Sequence, residues 1–287
     1  MQAEDARSAA AEVGLDIEIL YAENNPVIQI QQLYPVVHAP EDRRPSVVLV
    51  QSVAGEGLER LARAAVRAGI GWILINRRVP YMDELRRQQP LLPIGMIGTD
   101  NLEIGRIQGR QFQVLVPGGG VILYVQGPAD TSAARERLAG AEETCGRGID
   151  LKTVEGRWTE ASGEQAVSEW LRLKQFEASR PRLIGCQNDA MARGARRALE
   201  AASARFPSLA TLPVTGVDGL PDGGRLHVDQ GTLAGTVITP SSTGPAIRLV
   251  AQALRGEASF PREQLLMPSS YPDLGVLGTA MPRARSS

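Results

Sequence analysis

Polar side chains that can bind a hydroxyl-rich ligand stand at the ends of the apolar runs of this sequence. Carboxylates accept hydrogen bonds from hydroxyl groups, guanidinium groups donate them, amides do both, and a tryptophan ring covers the apolar face of a ligand ring. Only 4 % of the residues are aromatic, so a tryptophan at such a position is informative. The set comprises Asn76 with Arg77, Asp100, Arg135, Arg157 with Trp158, Asn188 with Asp189, Asp218 and Thr239.

Residues 120–141 show how one member of this set would be positioned. The apolar run 121–125 has the length of a strand, a Gly-Pro turn follows, and Thr131 is a suitable N-cap for the helix that begins next. Open α/β sheets bind ligands outside the carboxyl ends of their strands. Arg135 lies early in the helix, so we expect its planar fork of donors to reach a ligand at this edge.

Each polar residue of the set also has a structural interpretation. Asn188, Asp189 and Asp218 are residue types that suit helix caps and turns. Arg135 could instead pair with Glu142 or Glu143 of its own helix. The remaining candidates could be solvated or packed at the surface: Arg77 with Arg78, and Trp158. At each of these positions the sequence alone leaves both interpretations open.

The residues that most enzymes need are scarce in this chain. His38 and His227 lie far apart, and Cys145 and Cys186 lack metal-type spacing, so we expect two packed free thiols and neither a zinc site nor a His-based triad. Asp189 and Asp218 could in principle do acid–base work, but no nucleophile–base pair accompanies them. The glycines at 118–120 precede a strand and lack a Gly-Lys-Ser/Thr ending, so they are not a phosphate loop. We expect a protein that is not an enzyme and binds no metal or cofactor.

Strand-like and helix-like segments alternate along the chain. This alternation predicts parallel sheets that are covered by helices on both faces. Because the pattern runs through twice, with a break near residues 100–120, we expect two doubly wound lobes with a ligand cleft between them. The predicted strands cover 16–21, 46–53, 71–76, 94–99, 121–125, 150–155, 182–186, 212–217 and 232–238. The predicted helices cover 3–13, 27–34, 56–68, 102–114, 131–145, 162–177, 190–203 and 240–255.

The overall composition excludes several other classes of protein. The chain has 287 residues, 43 % of them hydrophobic, and a formal net charge of −1. Such a balanced charge carries no electrostatic signature of nucleic-acid binding. No apolar run is long enough to span a bilayer, and the first ten residues, MQAEDARSAA, lack the apolar core of a signal peptide.

Five segments of the chain resemble the type I periplasmic sugar-binding proteins of the ribose-binding class. They occur in the order of that family, at fitting intervals, and cover most of the chain. The segments are YAENNPVIQIQQL (21–33), IGTDNLEIGRIQG (97–109), TSAARERLAGAEE (131–143), GCQNDAMARGARRALEAA (185–202), and VTGVDGLPDG (214–223) followed by GTLAGTVITP (231–240).

The resemblance implies two Rossmann-like lobes joined by a hinge that closes on a ligand. It assigns residues 1–99 and 240–266 to the N-terminal lobe, and residues 100–239 and 267–287 to the C-terminal lobe, with hinge crossings near Asp100, Thr239 and Met267. It also implies a sugar or polyol ligand, delivery to an ABC transporter permease, a monomer, and a periplasmic or extracytoplasmic location. Its implied ligand contacts are Asn76, Arg77, Arg135, Trp158, Asn188, Asp218 and Thr239.

This chain departs from the family pattern at three places. Asn76 stands where ribose-type members commonly carry Asp, and Thr239 is shorter than the amide often found at the hinge. The family begins with a strand and a loop, whereas this sequence begins on the helix that follows them, so we expect a truncated, mis-assigned or divergent start. Because the first strand is central in its sheet, we predict a gap between residues 16–21 and 47–53, or another segment filling it.

An alternative function belongs to a different class. The effector domains of LacI-type transcription regulators share this fold and much of its strand-end chemistry. Such a regulator would need a DNA-binding headpiece upstream of the helix at 3–13. The segment 21–33 favours the transport protein.

Overall fold

A computed structural model of the chain describes residues 2–23, 25–53, 55–173 and 180–278. The chain divides into two compact units. Unit 1 comprises Met1–Thr99 and Pro240–Leu266, and unit 2 comprises Asp100–Thr239 and Met267–Ser287. The chain therefore passes from one unit to the other three times. No helix in the described part of the chain has the length and apolar character that a membrane crossing requires.

Unit 1 is built on a parallel sheet of four strands. The strands are β1 (Val47–Val50), β2 (Gly71–Ile75), β3 (Ile94–Thr99) and β9 (Glu263–Leu266), in the spatial order β1-β2-β3-β9. The helices are α1 (Gln2–Val13), α2 (Pro26–Val37), α3 (Glu59–Arg67), α4 (Met82–Gln88) and α10 (Thr243–Leu254), with 3-10 turns at Glu41–Arg43 and Gly55–Leu58. Trp72 and Leu74 of β2 pack in one hydrophobic core, and Ile73 and Ile75 in another. Both faces of β2 are thus covered, which explains why every residue of the strand is apolar.

Unit 2 contains a sheet of six strands. The strands are β4 (Gly120–Gln126), β5 (Ile149–Glu155), β6 (Leu183–Cys186), β7 (Val214–Asp218), β8 (Gly235–Ile238) and β10 (Ser269–Tyr271), in the spatial order β10-β8-β7-β6-β4-β5. All of them are parallel except β10, which pairs antiparallel with β8. The helices are α5 (Asn101–Leu115), α6 (Ser132–Thr144), α7 (Glu160–Arg172), α8 (Asp189–Ser203), α9 (Leu226–Asp229) and α11 (Leu274–Leu277), with a 3-10 turn at Pro207–Leu209 and a π turn at Pro221–Arg225. The predicted α/β class, with parallel sheets between helices, is confirmed.

The strand predicted at 16–21 is wrong. Residues 15–22 carry no regular secondary structure, and Ile17 and Leu20 of the alternating pattern are exposed. An alternating sequence permits an extended backbone, but a strand also needs a hydrogen-bonded neighbour. In the described chain β1 pairs with β2 alone. Residues 16–21 and β1 are therefore not paired with each other, as the predicted gap requires.

Other elements differ from the sequence prediction in extent. No element was predicted within 79–93 or after residue 255, yet the first segment contains α4 and the second contains β10 and α11. The strand β9 was not predicted, because four residues with two polar members give no clear periodicity. The helix predicted at 162–177 runs over Glu160–Arg172, and its predicted residues 174–177 lie outside the described residues.

Two glycines bring α5 and α6 of unit 2 into close contact. A Cβ atom at Gly105 would lie 2.1 Å from the carbonyl oxygen of Arg137, and one at Gly140 would lie 2.1 Å from that of Leu102. Real side chains never approach a backbone oxygen so closely, so only glycine allows this packing. The contact fixes the backbone of α6 at Arg137.

We therefore predict that Gly105→Ala lowers the free energy of unfolding by about 1–3 kcal/mol, the usual cost of overpacking. Helix propensity alone would predict the opposite change in stability, because alanine is a better helix former than glycine. Urea unfolding followed by circular dichroism measures it. Gly118→Ala is the matched control, because nothing lies within 4 Å of its added Cβ. Equal unfolding midpoints for the two variants would refute the close packing.

Candidate functional site

Backbone strain in the described residues concentrates at the predicted site. Four non-glycine residues have a φ in the left-handed region: Glu23 (50°), Asn76 (58°), Trp158 (63°) and Asp218 (120°). Three of them are predicted ligand contacts. Such conformations are costly for residues with a side chain, and they persist where the surrounding structure enforces them, most often at functional sites. This distribution supports a binding role over a purely structural one.

The carboxyl edge of the unit 2 sheet gathers a polar cluster around Arg137. The Arg137 guanidinium donates from Nε to Asn101 Oδ1 at 3.0 Å and from Nη1 to the carbonyl oxygen of Gln187. Its Cζ lies 5.6 Å from the centroid of the Trp158 ring. Burial lowers the pKa of Arg137, and the negative charges of Asp218 and Asp189 oppose this effect. The residue is half-buried, so its fork of donors is partly desolvated while still bordering solvent.

Arg135, predicted to be the principal donor, does not join this cluster. It is exposed, and its Nη1 donates to the carbonyl oxygens of Ala129 and Asp130 in its own turn. The physical reason is helical geometry: residues two apart in a helix point in nearly opposite directions. Arg137 shares the inner face of α6 with the buried residues Ala134 and Ala141. Arg137, the second arginine in the segment TSAARERL, is therefore the one that lies in the cluster.

Asp218 contributes a carboxylate at the end of β7. Thr239, another predicted contact, donates to the Asp218 carbonyl oxygen from its backbone N at 3.1 Å and from Oγ1 at 3.3 Å. Burial raises the pKa of Asp218 from its ordinary value of 3.8 to about 6, although Arg137 lowers it. Asp218 is half-buried, and its carboxylate interacts electrostatically with the Arg137 guanidinium. The carboxylate can lose its charge by protonation, whereas the guanidinium stays charged. Thr239 supports the backbone of this residue.

Asp189 is a second carboxylate of the cluster and is buried. Its Oδ2 accepts from the backbone N–H of Gly219 at 2.8 Å, and its Oδ1 accepts from Thr236 Oγ1 at 2.7 Å. Burial, followed by the negative charge of Asp218, raises the pKa of Asp189 from 3.8 to about 7, against the opposing effect of its hydrogen bonds and of Arg137. Burial thus raises the pKa of both carboxyl groups, while the charge of Arg137 lowers both.

Trp158 and Asn188 form the other side of the cluster. A Cβ atom at Gly127 would lie 1.9 Å from Cζ2 of the Trp158 ring, so the indole packs directly on that glycine. Asn188 donates from Nδ2 to the Trp158 carbonyl oxygen at 3.0 Å, and its Oδ1 caps α8 by accepting from Met191 N at 2.8 Å. The structural interpretation of Asn188 as a helix cap is therefore realised. Asp100 is likewise a cap, since it accepts from Glu103 N at 3.0 Å.

Unit 1 carries the two remaining predicted contacts directly after β2. Asn76 Oδ1 accepts from Thr99 N at 3.2 Å and from Ser242 Oγ at 3.1 Å. These two bonds hold the side chain in place and leave the amide Nδ2 without a hydrogen bond to the described residues. Arg77 follows and is half-buried. Unit 1 therefore also presents polar groups at the carboxyl edge of its sheet.

Three contributors to the cluster were missed by the sequence prediction: Arg137, Asn101 and Gln187. Arg137 could have been found from the apolar spacing of residues 134, 138 and 141, which marks the inner face of α6. Gln187 is buried and bonds Gly127 N through Oε1 and the Ala134 carbonyl through Nε2, at 3.0 Å in each case. No local pattern in the sequence signals that Gln187 and Asn101 approach one arginine.

The described residues offer little for metal chemistry or a reactive thiol. No group of three or more His, Cys, Asp or Glu side chains in the described ranges is arranged to hold a metal ion. Cys145 and Cys186 are free and buried, and burial raises the pKa of both thiols.

Comparison with known proteins identifies the family. Residues 2–258 match the family described as "Periplasmic binding protein domain". The ribose import binding protein of Salmonella typhimurium is 25 % identical over 89 % of this chain and 81 % of its own length. The putative rhizopine-binding protein of Rhizobium meliloti is 26 % identical over 73 % of this chain and 64 % of its own length. The chain therefore belongs to the periplasmic binding protein family.

Solved structures agree with the fold. The Caulobacter myo-inositol binding protein with bound myo-inositol superposes with a TM-score of 0.77 at 22 % identity, over 97 % of this chain and 90 % of that one. The binding protein of the arabinose ABC transporter from Shewanella, bound to arabinofuranose, gives a TM-score of 0.78 at 21 % identity, over 96 % and 89 %. At this level of identity the likeness concerns the fold: this chain has the α/β fold of type I periplasmic binding proteins.

The raised pKa of Asp218 predicts a specific pH dependence of stability. The folded protein binds this proton more tightly than the unfolded chain does, so ionisation penalises folding. The penalty is absent below about pH 4 and grows until the pH passes about 6. We expect Asp218→Asn to gain about 1–2 kcal/mol in unfolding free energy relative to wild type between pH 4 and pH 7.

Urea unfolding across this pH range measures the gain. Asparagine also tolerates a positive φ, so the substitution removes the charge without adding backbone strain. Asp222→Asn removes an exposed carboxylate from the neighbouring segment and is the control. A difference between Asp218→Asn and wild type that does not change with pH would contradict the burial of this carboxylate.

Proposed function

We propose that this protein is a solute-binding protein that captures a sugar or polyol and delivers it to an ABC transporter permease. The observation that carries the proposal is the half-buried Arg137 guanidinium at the carboxyl edge of the unit 2 sheet, which lies 5.6 Å from the centroid of the Trp158 ring and interacts electrostatically with the half-buried Asp218 carboxylate. A ligand that binds there meets a fixed donor, a strong acceptor and an apolar surface.

This combination suits a polyhydroxylated ring. The Arg137 fork donates to oxygen atoms, and the Asp218 carboxylate accepts from hydroxyl groups. Trp158 can cover the apolar face of a ring. The negative charges near Arg137 already balance it, so the cluster has no surplus positive charge for an anionic ligand. A neutral ligand therefore fits better than a sugar acid or a phosphate.

The relatives support this class of ligand and this role. They include a ribose import binding protein, a myo-inositol binding protein bound to myo-inositol, and the binding protein of an arabinose ABC transporter bound to arabinofuranose. Delivery to a permease, a location outside the cytoplasm, a monomeric state and the absence of enzymatic activity belong to the proposal on the same ground. The matched family also favours this function over the effector domain of a LacI-type regulator.

The remaining predicted contacts enter the proposal with two changes. Arg137 replaces Arg135, and Trp158 and Asp218 stay as direct contacts. Asn188 and Thr239 act mainly by holding Trp158 and Asp218, and Asn76 with Arg77 supplies contacts from unit 1. Closure of the two units on the ligand is part of the proposal, and the three chain crossings between the units are what support it. Small-angle scattering with and without ligand tests the closure.

A thermal-shift panel tests the proposed function. The panel contains D-ribose, L-arabinose, D-allose, D-galactose, D-fructose and myo-inositol, with glucuronate and ribose 5-phosphate as anionic comparators. A ligand that binds only the folded state raises the melting temperature. We expect at least one neutral member to raise it and the anionic members to have a smaller effect. A flat response across the neutral sugars would contradict the proposal.

The two arginines of α6 provide a matched pair of variants. Arg137→Gln removes a charge-assisted donor, so we expect it to weaken binding of the best panel sugar by about 10–100-fold. Arg135→Gln is expected to change the affinity by less than about twofold, because Arg135 bonds only carbonyl groups of its own turn. Isothermal titration calorimetry on protein checked for folding by circular dichroism measures both. If Arg135→Gln lost more affinity than Arg137→Gln, the result would favour the sequence prediction of Arg135 as the ligand contact.

A further inference from the structure

A strained turn follows β7 at the proposed ligand site. Asp218 has a φ of 120°, and the next residue, Gly219, has a φ of 60°. A residue with a Cβ adopts the first of these conformations only when its surroundings hold it there. The backbone N–H of Gly219 points at Asp189 Oδ2, 2.8 Å away, across 30 residues of sequence. The turn that presents Asp218 is therefore anchored from the first residue of α8.

The surroundings of Asp189 are shaped for a carboxyl group. A Cβ atom at Gly216 would lie 2.1 Å from Oδ1, and one at Gly224 would lie 1.9 Å from Oδ2. Any larger residue at these two positions would displace the carboxyl group. Oδ1 accepts a hydrogen bond from Thr236 Oγ1 of β8 at 2.7 Å. One buried side chain thus connects the start of α8, the turn after β7 and the strand β8.

We propose that Asp189 is the positioning residue of the ligand site: by accepting the Gly219 N–H, it fixes the backbone that presents the Asp218 carboxylate. Its effect on affinity rests on the proposed function, whereas its effect on the turn does not. Asp189 is buried, with 7 % of its surface exposed, and both of its carboxyl oxygens already accept hydrogen bonds from the protein. It acts through the Gly219 N–H, the hydrogen bond that holds the turn carrying Asp218.

The N-terminal position of Asp189 in α8 does not by itself explain these features. An acidic residue in the first turn stabilises a helix through the helix dipole, but it does so on the surface as well. Burying the Asp189 carboxyl group between Gly216 and Gly224 does not strengthen its interaction with the helix dipole, and the burial costs desolvation free energy. The hydrogen bond to Gly219 explains the burial, because it holds Asp218 in a backbone conformation that a residue with a Cβ does not adopt without support.

The role that we assign requires an acceptor oxygen and does not require a charge. Asparagine at 189 can accept from Gly219 N–H with Oδ1 and donate from Nδ2 to the Thr236 hydroxyl. Alanine can do neither. A carboxyl group weakens as an acceptor when it takes up a proton, so the anchor should also respond to pH. The charged or titratable groups facing Asp189 are Asp218 on β7, Arg137 on α6 and Cys186 on β6.

Amide NMR of the full chain tests the anchor without any ligand. In Asp189→Ala we expect the Gly219 amide to exchange with solvent at least tenfold faster than in wild type. In Asp189→Asn the exchange rate should stay within about threefold. Burial raises the pKa of both Asp189 and Asp218, so the Gly219 nitrogen shift should titrate with both carboxyl groups in wild type, and the Asp189 step should vanish in Asp189→Asn while the Asp218 step stays. Glu200→Gln, an exposed change on α8, is the control and should match wild type.

Calorimetry with the panel sugar of largest thermal shift tests the link to binding. We expect Asp189→Ala to lose at least tenfold in affinity and Asp189→Asn to stay within about threefold of wild type at pH 8. If Asp189→Ala does not fold, the reduction of the Gly219 titration to the Asp218 step in Asp189→Asn decides.

Two results would overturn the positioning role: wild-type exchange of Gly219 in Asp189→Ala, or equally fast exchange in the Asn and Ala variants. If no sugar binds wild type, the proposed function fails, and the exchange experiment still decides the role of Asp189.

Discussion

The partial burial of one guanidinium group is the constraint on which the candidate site depends. A charged side chain leaves water only when opposite charge and hydrogen-bond acceptors replace its hydration. Asp218 and Asp189 supply the charge, while Asn101 and the Gln187 carbonyl supply acceptors. The close contact of α5 and α6 at Gly105 and Gly140 fixes the position of the Arg137 backbone relative to these groups. Removing the Asn101 acceptor would leave the Arg137 Nε–H without its hydrogen bond at the sheet edge.

The same constraint accounts for the strain at the site. An open sheet delivers its loops to one edge, but the loops must turn sharply to aim several polar groups at one point. Trp158 and Asp218 make such turns with a positive φ. Asn188 and Thr239 donate hydrogen bonds to these two loops, and Asp189 accepts one from Gly219. A site held in this way is ordered before the ligand arrives, so little ordering is left for binding to cost.

Periodicity predicted most of this fold, and three-dimensional contacts decided the rest. Buried parallel strands such as β2 are apolar throughout and end at polar residues, so the sheet edge could be located from the sequence. The choice between Arg135 and Arg137 depends on the helix face, which the apolar residues 134, 138 and 141 do encode. The strand predicted at 16–21 is wrong for another reason: an alternating apolar pattern does not provide a neighbouring strand to pair with. Gln187 and Asn101 could not be predicted, since their roles arise from contacts between distant segments.

A crystal structure of the protein with its best panel sugar tests the central claim most directly. The account predicts ring or hydroxyl oxygens within hydrogen-bonding distance of the Arg137 guanidinium and the Asp218 carboxylate, with one face of the ring against Trp158. The Gly219–Asp189 bond should be intact in the complex. A sugar bound elsewhere, or one at this edge that contacts Arg135 and leaves Arg137 with its present partners alone, would contradict the account.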